Sequence, residues 1–143
     1  MSQKPLVLIV EDDPASRLLA TATLEGQGFH VAATGSAENA IELIARQAPD
    51  LILMDIQLPG MDGLELTRKL KADPATAHIA VVALTAHTLP LHQRAAMAAG
   101  CAGYIAKPVS PAVLSAQVRT YMERRRPPLS VKAGERSIGR DAE

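Results

Sequence analysis

The sequence predicts one α/β domain in which helices cover both faces of a five-stranded parallel sheet. Short apolar runs alternate with stretches of helical spacing five times along the chain. The runs are almost continuously apolar, as is typical of strands buried on both faces of a parallel sheet. With 48% apolar residues, the 143-residue chain can fill one core. Closure into a barrel of the same repeat needs a longer chain.

The first strand is predicted at 6–10, with a helix directly after it. Pro14 suits the first turn of that helix, where a missing N–H costs nothing. Gly26 and Gly28 end the helical pattern, and a short second strand follows at 29–33. Ala15, Leu18, Leu19 and Ala22 recur at helical spacing after Pro14, which predicts the first helix.

Ser36 can cap the second helix, and Pro49 and Asp50 end it before a third strand at 51–55. The apolar positions of this helix are Ala37, Ala40, Ile41, Ile44 and Ala48. Asp62 and Glu65 resemble a capping pair for a third helix over 63–71.

The last third of the chain continues the alternation. An apolar run over 79–84 predicts the fourth strand, and Pro90 can open an alanine-rich helix that stops at Gly100. A fifth strand at 103–106 is followed by a helix that Ser110 can cap and that continues to about residue 124. The domain is therefore expected to span 1–126. The polar stretch over 127–143 is predicted to be a disordered tail.

Composition argues against several classes of partner. Aromatic residues make up only 2% of the chain and the formal net charge is zero, which disfavours a nucleic-acid or lipid surface. The apolar run near the amino terminus is too short for a signal peptide or a membrane span. One cysteine, Cys101, cannot form an internal disulfide, and we expect it to be a packing residue in a cytoplasmic protein.

Four of the predicted strands run directly into polar residues. Glu11 and Asp12 follow the first strand, Asp55 ends the third, Thr85 follows the fourth and Lys107 follows the fifth. Because carboxyl ends of parallel strands meet at one edge of a sheet, these side chains should share a cleft. Such a set suits a divalent cation and a phosphoryl group.

The residue types support that chemistry. Clustered carboxylates repel each other, and a hard cation such as Mg²⁺ removes the repulsion while retaining waters and binding phosphate. Lys107 supplies a point charge and Thr85 a hydroxyl donor for phosphoryl oxygens. No Ser–His or Cys–His pair stands out, so the nucleophile would be a carboxylate. The product would be a labile acyl phosphate.

Four motifs identify the chain as similar to the receiver domains of bacterial two-component response regulators. They are Val-Glu-Asp-Asp at 10–13, Met-Asp-Ile-Gln-Leu-Pro-Gly-Met-Asp-Gly at 54–63, Leu-Thr-Ala at 84–86 and Tyr-Ile-Ala-Lys-Pro at 104–108. The resemblance covers roughly residues 5–124. It implies the doubly wound, flavodoxin-like fold of CheY, with strand order 2-1-3-4-5.

The resemblance also implies a role for each site residue. Asp55 would be the phosphoacceptor. Mg²⁺ would be held by Glu11, Asp12, Asp55 and the backbone carbonyl of Gln57. Lys107 would bind the phosphoryl group, Thr85 would be the switch hydroxyl and Tyr104 the aromatic switch. Asp13 matches a variable position and is left outside the site. Lys107–Pro108 is expected to be a cis peptide. His87 and Gln57 border the site, where we expect them to tune dephosphorylation.

The implied protein is a stand-alone signalling regulator and not a dedicated enzyme, because the stretch after residue 126 is too short for an output module. A sensor histidine kinase or a histidine phosphotransfer protein would supply the phosphoryl group. The fourth helix, fifth strand and fifth helix would bind a protein target. Alternatives are a phosphorelay intermediate, a non-phosphorylated pseudo-receiver and an aspartyl-nucleophile Mg²⁺-dependent phosphatase. That phosphatase class usually has a general-acid aspartate where this chain has Gln57.

Overall fold

A computed structural model describes residues 4–58, 60–86, 89–107 and 110–125. Within these ranges the chain forms five strands and five helices in strict alternation. The elements are β1 (Leu6–Val10), α1 (Pro14–Gly26), β2 (His30–Thr34), α2 (Ala37–Arg46), β3 (Leu51–Asp55), α3 (Gly63–Ala72), β4 (Ala80–Thr85), α4 (Pro90–Ala99), β5 (Gly103–Ala106) and α5 (Pro111–Arg125).

All strand pairs are parallel, in the order β2-β1-β3-β4-β5. The prediction of a doubly wound five-stranded sheet is therefore confirmed, as is its implied strand order. The register aligns the strand ends, since Val10 lies beside Met54 and Thr85 beside Ala106. The polar residues that follow the strands consequently start from one level of the sheet edge.

The core has two layers, one on each face of the sheet. Residues of β1, β3 and β4 alternate between the layers, as the two-residue period of a strand requires. One layer is closed by α2, α3 and α4 through Ala37, Ala40, Ile44, Leu66, Leu70 and Ala96. The other is closed by α1 and α5 through Ala20, Leu24, Leu114 and Val118. Tyr104 packs on the first layer and Tyr121 on the second.

The predicted helix boundaries depend on polar caps that are present in the structure. Asp13 accepts a hydrogen bond from the Ser16 N–H at 2.9 Å, with proline at the first helical position. Ser36 caps α2 in the same way, and Asp62 accepts from an α3 backbone N–H at 2.8 Å. Gly100 ends α4 with φ 108°, a conformation that glycine adopts without strain. Asp13, which the sequence left outside the site, is thus a helix cap.

The four apolar positions that predict α1 are exposed in the structure. Leu18 and Leu19 are 70% and 54% exposed, and α1 instead meets the sheet through Ala20 and Leu24. Apolar residues lie on more than one side of this helix, and small Ala20 allows a close approach to the strands. An apolar strip therefore lies exposed on α1.

Other differences are smaller. β2 begins at His30, one residue later than predicted, because buried Phe29 lies in the turn before it. Ile41 is exposed on α2, and Ala48 lies beyond that helix. Cys101 is buried in the core as predicted. The predicted tail over 127–143 lies outside the described residues.

No helix in the described ranges combines the length and the apolar character needed to cross a bilayer.

Candidate functional site

The site residues are held by hydrogen bonds that continue the sheet one step past its strands. The N–H of Glu11 donates to the Thr34 carbonyl at 2.9 Å, and the N–H of Lys107 donates to the Thr85 carbonyl at 2.8 Å. Asp55 is itself the last residue of β3. Each of these side chains therefore leaves from backbone that the sheet holds rigid.

Lys107 joins the ends of three strands through its ammonium group. Its Nζ donates to Oδ2 of Asp55 at 3.0 Å and also to Oε1 of Glu11. These partners lie 52 and 96 residues away in the chain. The convergence predicted from the strand ends is therefore present, with the amine between two carboxylates.

Both carboxylate oxygens of Asp55 have donors. Oδ1 accepts from the backbone N–H of Gln57 at 2.9 Å, while Oδ2 accepts from Lys107. The side chain is 8% exposed. Its orientation is therefore set before any reactant arrives.

Three acids form a cluster suited to a cation. Carboxylate oxygens of Glu11, Asp12 and Asp55 lie within 4.8 Å of one another. Glu11 and Asp55 are buried and Asp12 is exposed. An all-oxygen set that is rigid on one side and open to water on the other fits Mg²⁺, which retains several waters.

Burial and charge act against each other in this cluster. Burial raises the pKa of Glu11 above its ordinary value, although hydrogen bonds from Lys107 and from the Asp13 N–H oppose the shift. Burial alone would lower the pKa of Lys107, but the Glu11 and Asp55 carboxylates outweigh it and raise that pKa. Lys107 is therefore held charged as the counter-ion of the acids.

Thr85 and Tyr104 lie on neighbouring strands at the same edge. Thr85 ends β4 and is fully buried, and its carbonyl receives the Lys107 N–H. Tyr104 on β5 is half-buried, and its hydroxyl accepts a hydrogen bond from the side-chain amide of Gln93 on α4. Sequence reasoning missed Gln93, because nothing in its spacing indicates a partner on β5.

Two further contacts that the sequence did not reveal support the loops of the site. Glu38, on the first turn of α2, accepts from the Met61 N–H at 3.3 Å and lies against Gly60. Arg17, on α1, donates from Nη1 to the Glu11 carbonyl at 2.8 Å. Both side chains reach across to another loop, so no local motif marks them.

Some expectations fall outside the described residues. The structure does not describe His87 or Pro108, so the tuning role of His87 and the cis peptide before Pro108 remain predictions. Gln57 is described and exposed beside Asp55.

An apolar groove opens beside the charged cluster. It encloses about 360 Å³ between α1 and the start of α5, and Leu19, Pro111 and Leu114 contribute to its walls. Glu11 and Lys107 line its inner end. A partner seated in this groove would therefore reach the site directly.

Comparison with known proteins agrees with this geometry. The model of the response regulator receiver domain family matches residues 7–119. The chain belongs to this family. Its five-stranded parallel sheet is thus that of a receiver domain, a signalling module of two-component systems.

Relatives differ in how much of their length the chain spans. It is 38% identical over 116 residues to the polar-differentiation response regulator DivK of Brucella ovis, covering 81% of this chain and 94% of DivK. It is 35% identical over 120 residues to the transcriptional regulatory protein AfsQ1 of Streptomyces coelicolor, covering 84% of this chain but only 52% of AfsQ1.

Solved structures show the same fold. The BeF3-activated N-terminal receiver domain of RstA from Klebsiella pneumoniae superposes with a TM-score of 0.75 at 35% identity. The match covers 82% of this chain and 97% of that domain.

Proposed function

We propose that this chain is a stand-alone response regulator that accepts a phosphoryl group on Asp55 and then changes its affinity for a protein partner. The donor would be a sensor histidine kinase or a histidine phosphotransfer protein. The near-complete coverage of DivK, itself called a response regulator, supports the stand-alone reading. A net charge of zero and an aromatic content of 2% favour protein partners over nucleic acid or membrane. The proposed site of action is the cytoplasm.

The observation that carries the proposal is the bridge from Lys107 to Asp55 and Glu11. It places a buried carboxylate, a second acid and a permanent cation together at the end of a rigid sheet. A structural ion pair needs only one acid, and a third carboxylate, that of Asp12, lies within the same cluster. An excess of negative charge beside one amine is expected where a cation and a phosphoryl group are to be bound.

The chemistry follows from the contacts of Asp55. One carboxylate oxygen attacks phosphorus in line with the bond to the donor's imidazole nitrogen. That P–N bond breaks, its electron pair returns to the nitrogen, and an acyl phosphate remains. Lys107 already lies 3.0 Å from Asp55 Oδ2, so it can neutralise charge on the incoming phosphoryl oxygens without a large movement.

Mg²⁺ fits the donor set of the site. Glu11, Asp12, Asp55 and the backbone carbonyl of Gln57 would hold the ion, as a set of hard oxygen ligands. When bound, it supplies positive charge that offsets the repulsion among carboxylates and phosphoryl oxygens. The protein residues contribute orientation, because Asp55 and Glu11 are fixed by backbone and lysine hydrogen bonds.

The proposed switch connects the site with the surface of α4, β5 and α5. Thr85 would turn toward the phosphoryl oxygens, and Tyr104 would move into the space that opens beside it. Gln93 would then lose its bond to the Tyr104 hydroxyl. Exposed apolar side chains on α4, on α5 and just before α4 support a protein-binding role for these elements; they are Leu89, Leu91, Met97 and Val113.

Acetyl phosphate tests the central claim. Incubation with Mg²⁺ should add one phosphoryl mass to the intact protein, and Asp55→Asn should remove that gain. Asp50→Asn is a matched control, because Asp50 binds the Leu6 N–H at the opposite end of the sheet. Equal labelling of wild type and Asp55→Asn would exclude Asp55 as the acceptor.

A phosphorelay role is the second candidate, favoured by the open groove that leads to Glu11 and Lys107. In that case labelled protein should pass its phosphoryl group to the histidine of a phosphotransfer protein. Retained label on Asp55 in the presence of such a protein would favour the stand-alone role.

A phosphatase of the aspartyl-nucleophile class is a weaker candidate. Gln57, two residues after Asp55, contributes its backbone N–H to the carboxylate and has no acidic side chain to protonate a leaving alcohol. Sustained multiple-turnover hydrolysis of p-nitrophenyl phosphate, lost in Asp55→Asn, would establish the enzyme instead.

A further inference from the structure

We propose that Arg17 is a positioning residue for the cation site and that Gly35 provides the space it needs. Arg17 would act through the peptide that joins Glu11 to Asp12, and not by contact with the ion. The inference rests on the proposed function, because it concerns the same Mg²⁺ site.

The peptide between Glu11 and Asp12 carries both acids that follow β1. The last hydrogen bond between β1 and β2 runs from the Glu11 N–H to the Thr34 carbonyl. The carbonyl oxygen of Glu11 lies beyond this bond. A half-buried carbonyl in this position needs another donor. Nη1 of Arg17 provides it at 2.8 Å, from the first full turn of α1.

Fixing this one peptide plane fixes the start of the Asp12 backbone relative to Glu11. The plane limits ψ of Glu11 and φ of Asp12, and these angles decide where the Asp12 carboxylate points relative to that of Glu11. Glu11 is further held by Lys107 and the Asp13 N–H. Asp12 is exposed, so its direction depends more strongly on the backbone that Arg17 holds.

Gly35 lies against the guanidinium. A methyl group at position 35 would lie 3.0 Å from Arg17 Nη1 and 3.8 Å from both the Glu11 carbonyl and the Asp12 Cα. Only the guanidinium contact is tighter than usual, so alanine would displace Arg17 by a few tenths of an ångström and leave the strand backbone unaffected. The absence of a side chain at Gly35 therefore gives Arg17 its path to the carbonyl.

Charge alone predicts the opposite effect. A guanidinium near the acids repels a divalent cation, so its removal should tighten Mg²⁺ binding if Arg17 acts only through its field. A positioning residue should instead weaken binding when it is lost, because the acids then sample other directions. The sign of the change in Mg²⁺ dissociation constant therefore separates the two roles.

Isothermal titration with Mg²⁺ alone measures this sign on the full chain. We expect Arg17→Met to weaken Mg²⁺ binding by about tenfold, the usual loss for a residue that orients metal ligands. Gly35→Ala retains every charge and should weaken binding by a smaller factor. Arg46→Met removes a charge at the far end of α2, and its dissociation constant should equal that of wild type.

Unchanged or tighter Mg²⁺ binding by folded Arg17→Met would overturn the proposal. If Arg17→Met does not fold, Gly35→Ala decides, and a dissociation constant equal to that of wild type overturns it. Thermal unfolding in EDTA adds a second test. A lower melting temperature with unchanged Mg²⁺ affinity would assign Arg17 a purely structural role. Failure of the proposed function is distinct, since wild type itself would then bind no Mg²⁺ and take up no phosphoryl group.

Discussion

Gly63 is the position where one added methyl group should do most damage to the site. It is the first residue of α3, buried against the end of β3, and its N–H donates to the Ile56 carbonyl at 3.3 Å. An alanine Cβ there would lie 2.8 Å from Ile56 Cα and closer still to the carbonyl oxygen of Asp55. Because backbone atoms cannot rotate away, α3 itself would have to move.

The size of the effect follows from these distances. Ordinary contact begins at 3.4 Å, so α3 must retreat by at least about 0.6 Å from Ile56. Overpacking of a rigid core typically costs about 1–3 kcal/mol, and we expect the upper end because the clash is with backbone. At about 4 °C per kcal/mol for a domain of this size, Gly63→Ala should lower the melting temperature by about 12 °C.

Circular dichroism during thermal unfolding measures this shift, and Gly26→Ala is the matched control. No atom lies within 4 Å of a methyl group at position 26, so that variant should unfold at or slightly above the wild-type temperature. Gly63→Ala should also take up a phosphoryl group more slowly, because the turn between β3 and α3 would be displaced and its Gln57 N–H orients the Asp55 carboxylate. Equal melting temperatures for Gly63→Ala and Gly26→Ala would refute the reasoning.

Three other variants test separate parts of the structure. Lys107→Met should tighten Mg²⁺ binding several-fold by isothermal titration, because the acids lose their internal cation; weaker binding would contradict that account. Lys71→Met should cost about 1–3 kcal/mol in urea unfolding, since the carbonyls of Ala77 and Ile79 lose their donor. Burial lowers the pKa of Lys71 below 10.5, so the unfolded chain holds this proton more tightly. The unfolding free energy of wild type should therefore rise relative to that of Lys71→Met as the pH increases toward 10.5. The same pH dependence in both proteins would contradict the lowered pKa of Lys71. Asp62→Ala should cost about 1 kcal/mol in the same assay through the lost cap of α3, and no change would show that the cap contributes nothing.

The sheet and the cluster could be predicted because they follow from one-dimensional patterns. Apolar runs define strands, and parallel strands bring their carboxyl ends together whatever the loops do. Asp55, Glu11 and Lys107 were thus predicted to meet, and the structure joins all three. The caps at Ser36 and Asp62 were equally local, since each bonds an N–H three residues ahead.

Contacts that depend on helix rotation or side-chain reach could not be predicted in this way. α1 has apolar residues on more than one side, so its spacing alone does not decide whether Leu18 or the pair Ala20 and Leu24 faces the sheet. Arg17 meets Glu11 only because α1 has that rotation. Glu38 reaches Met61 across 23 residues of sequence through the space between two loops.

The placement of Tyr104 and Tyr121 on opposite layers of the core gives this protein a built-in optical reporter. They are its two tyrosines, and the chain has no tryptophan to mask their emission. Tyr104 lies on the strand that leads into Lys107, whereas Tyr121 lies on α5 and packs on the second layer beside Gly103, at the start of β5 and away from the charged edge. Replacing Tyr121 with phenylalanine would leave a single fluorophore, whose intensity could then follow beryllofluoride binding in real time without any attached dye.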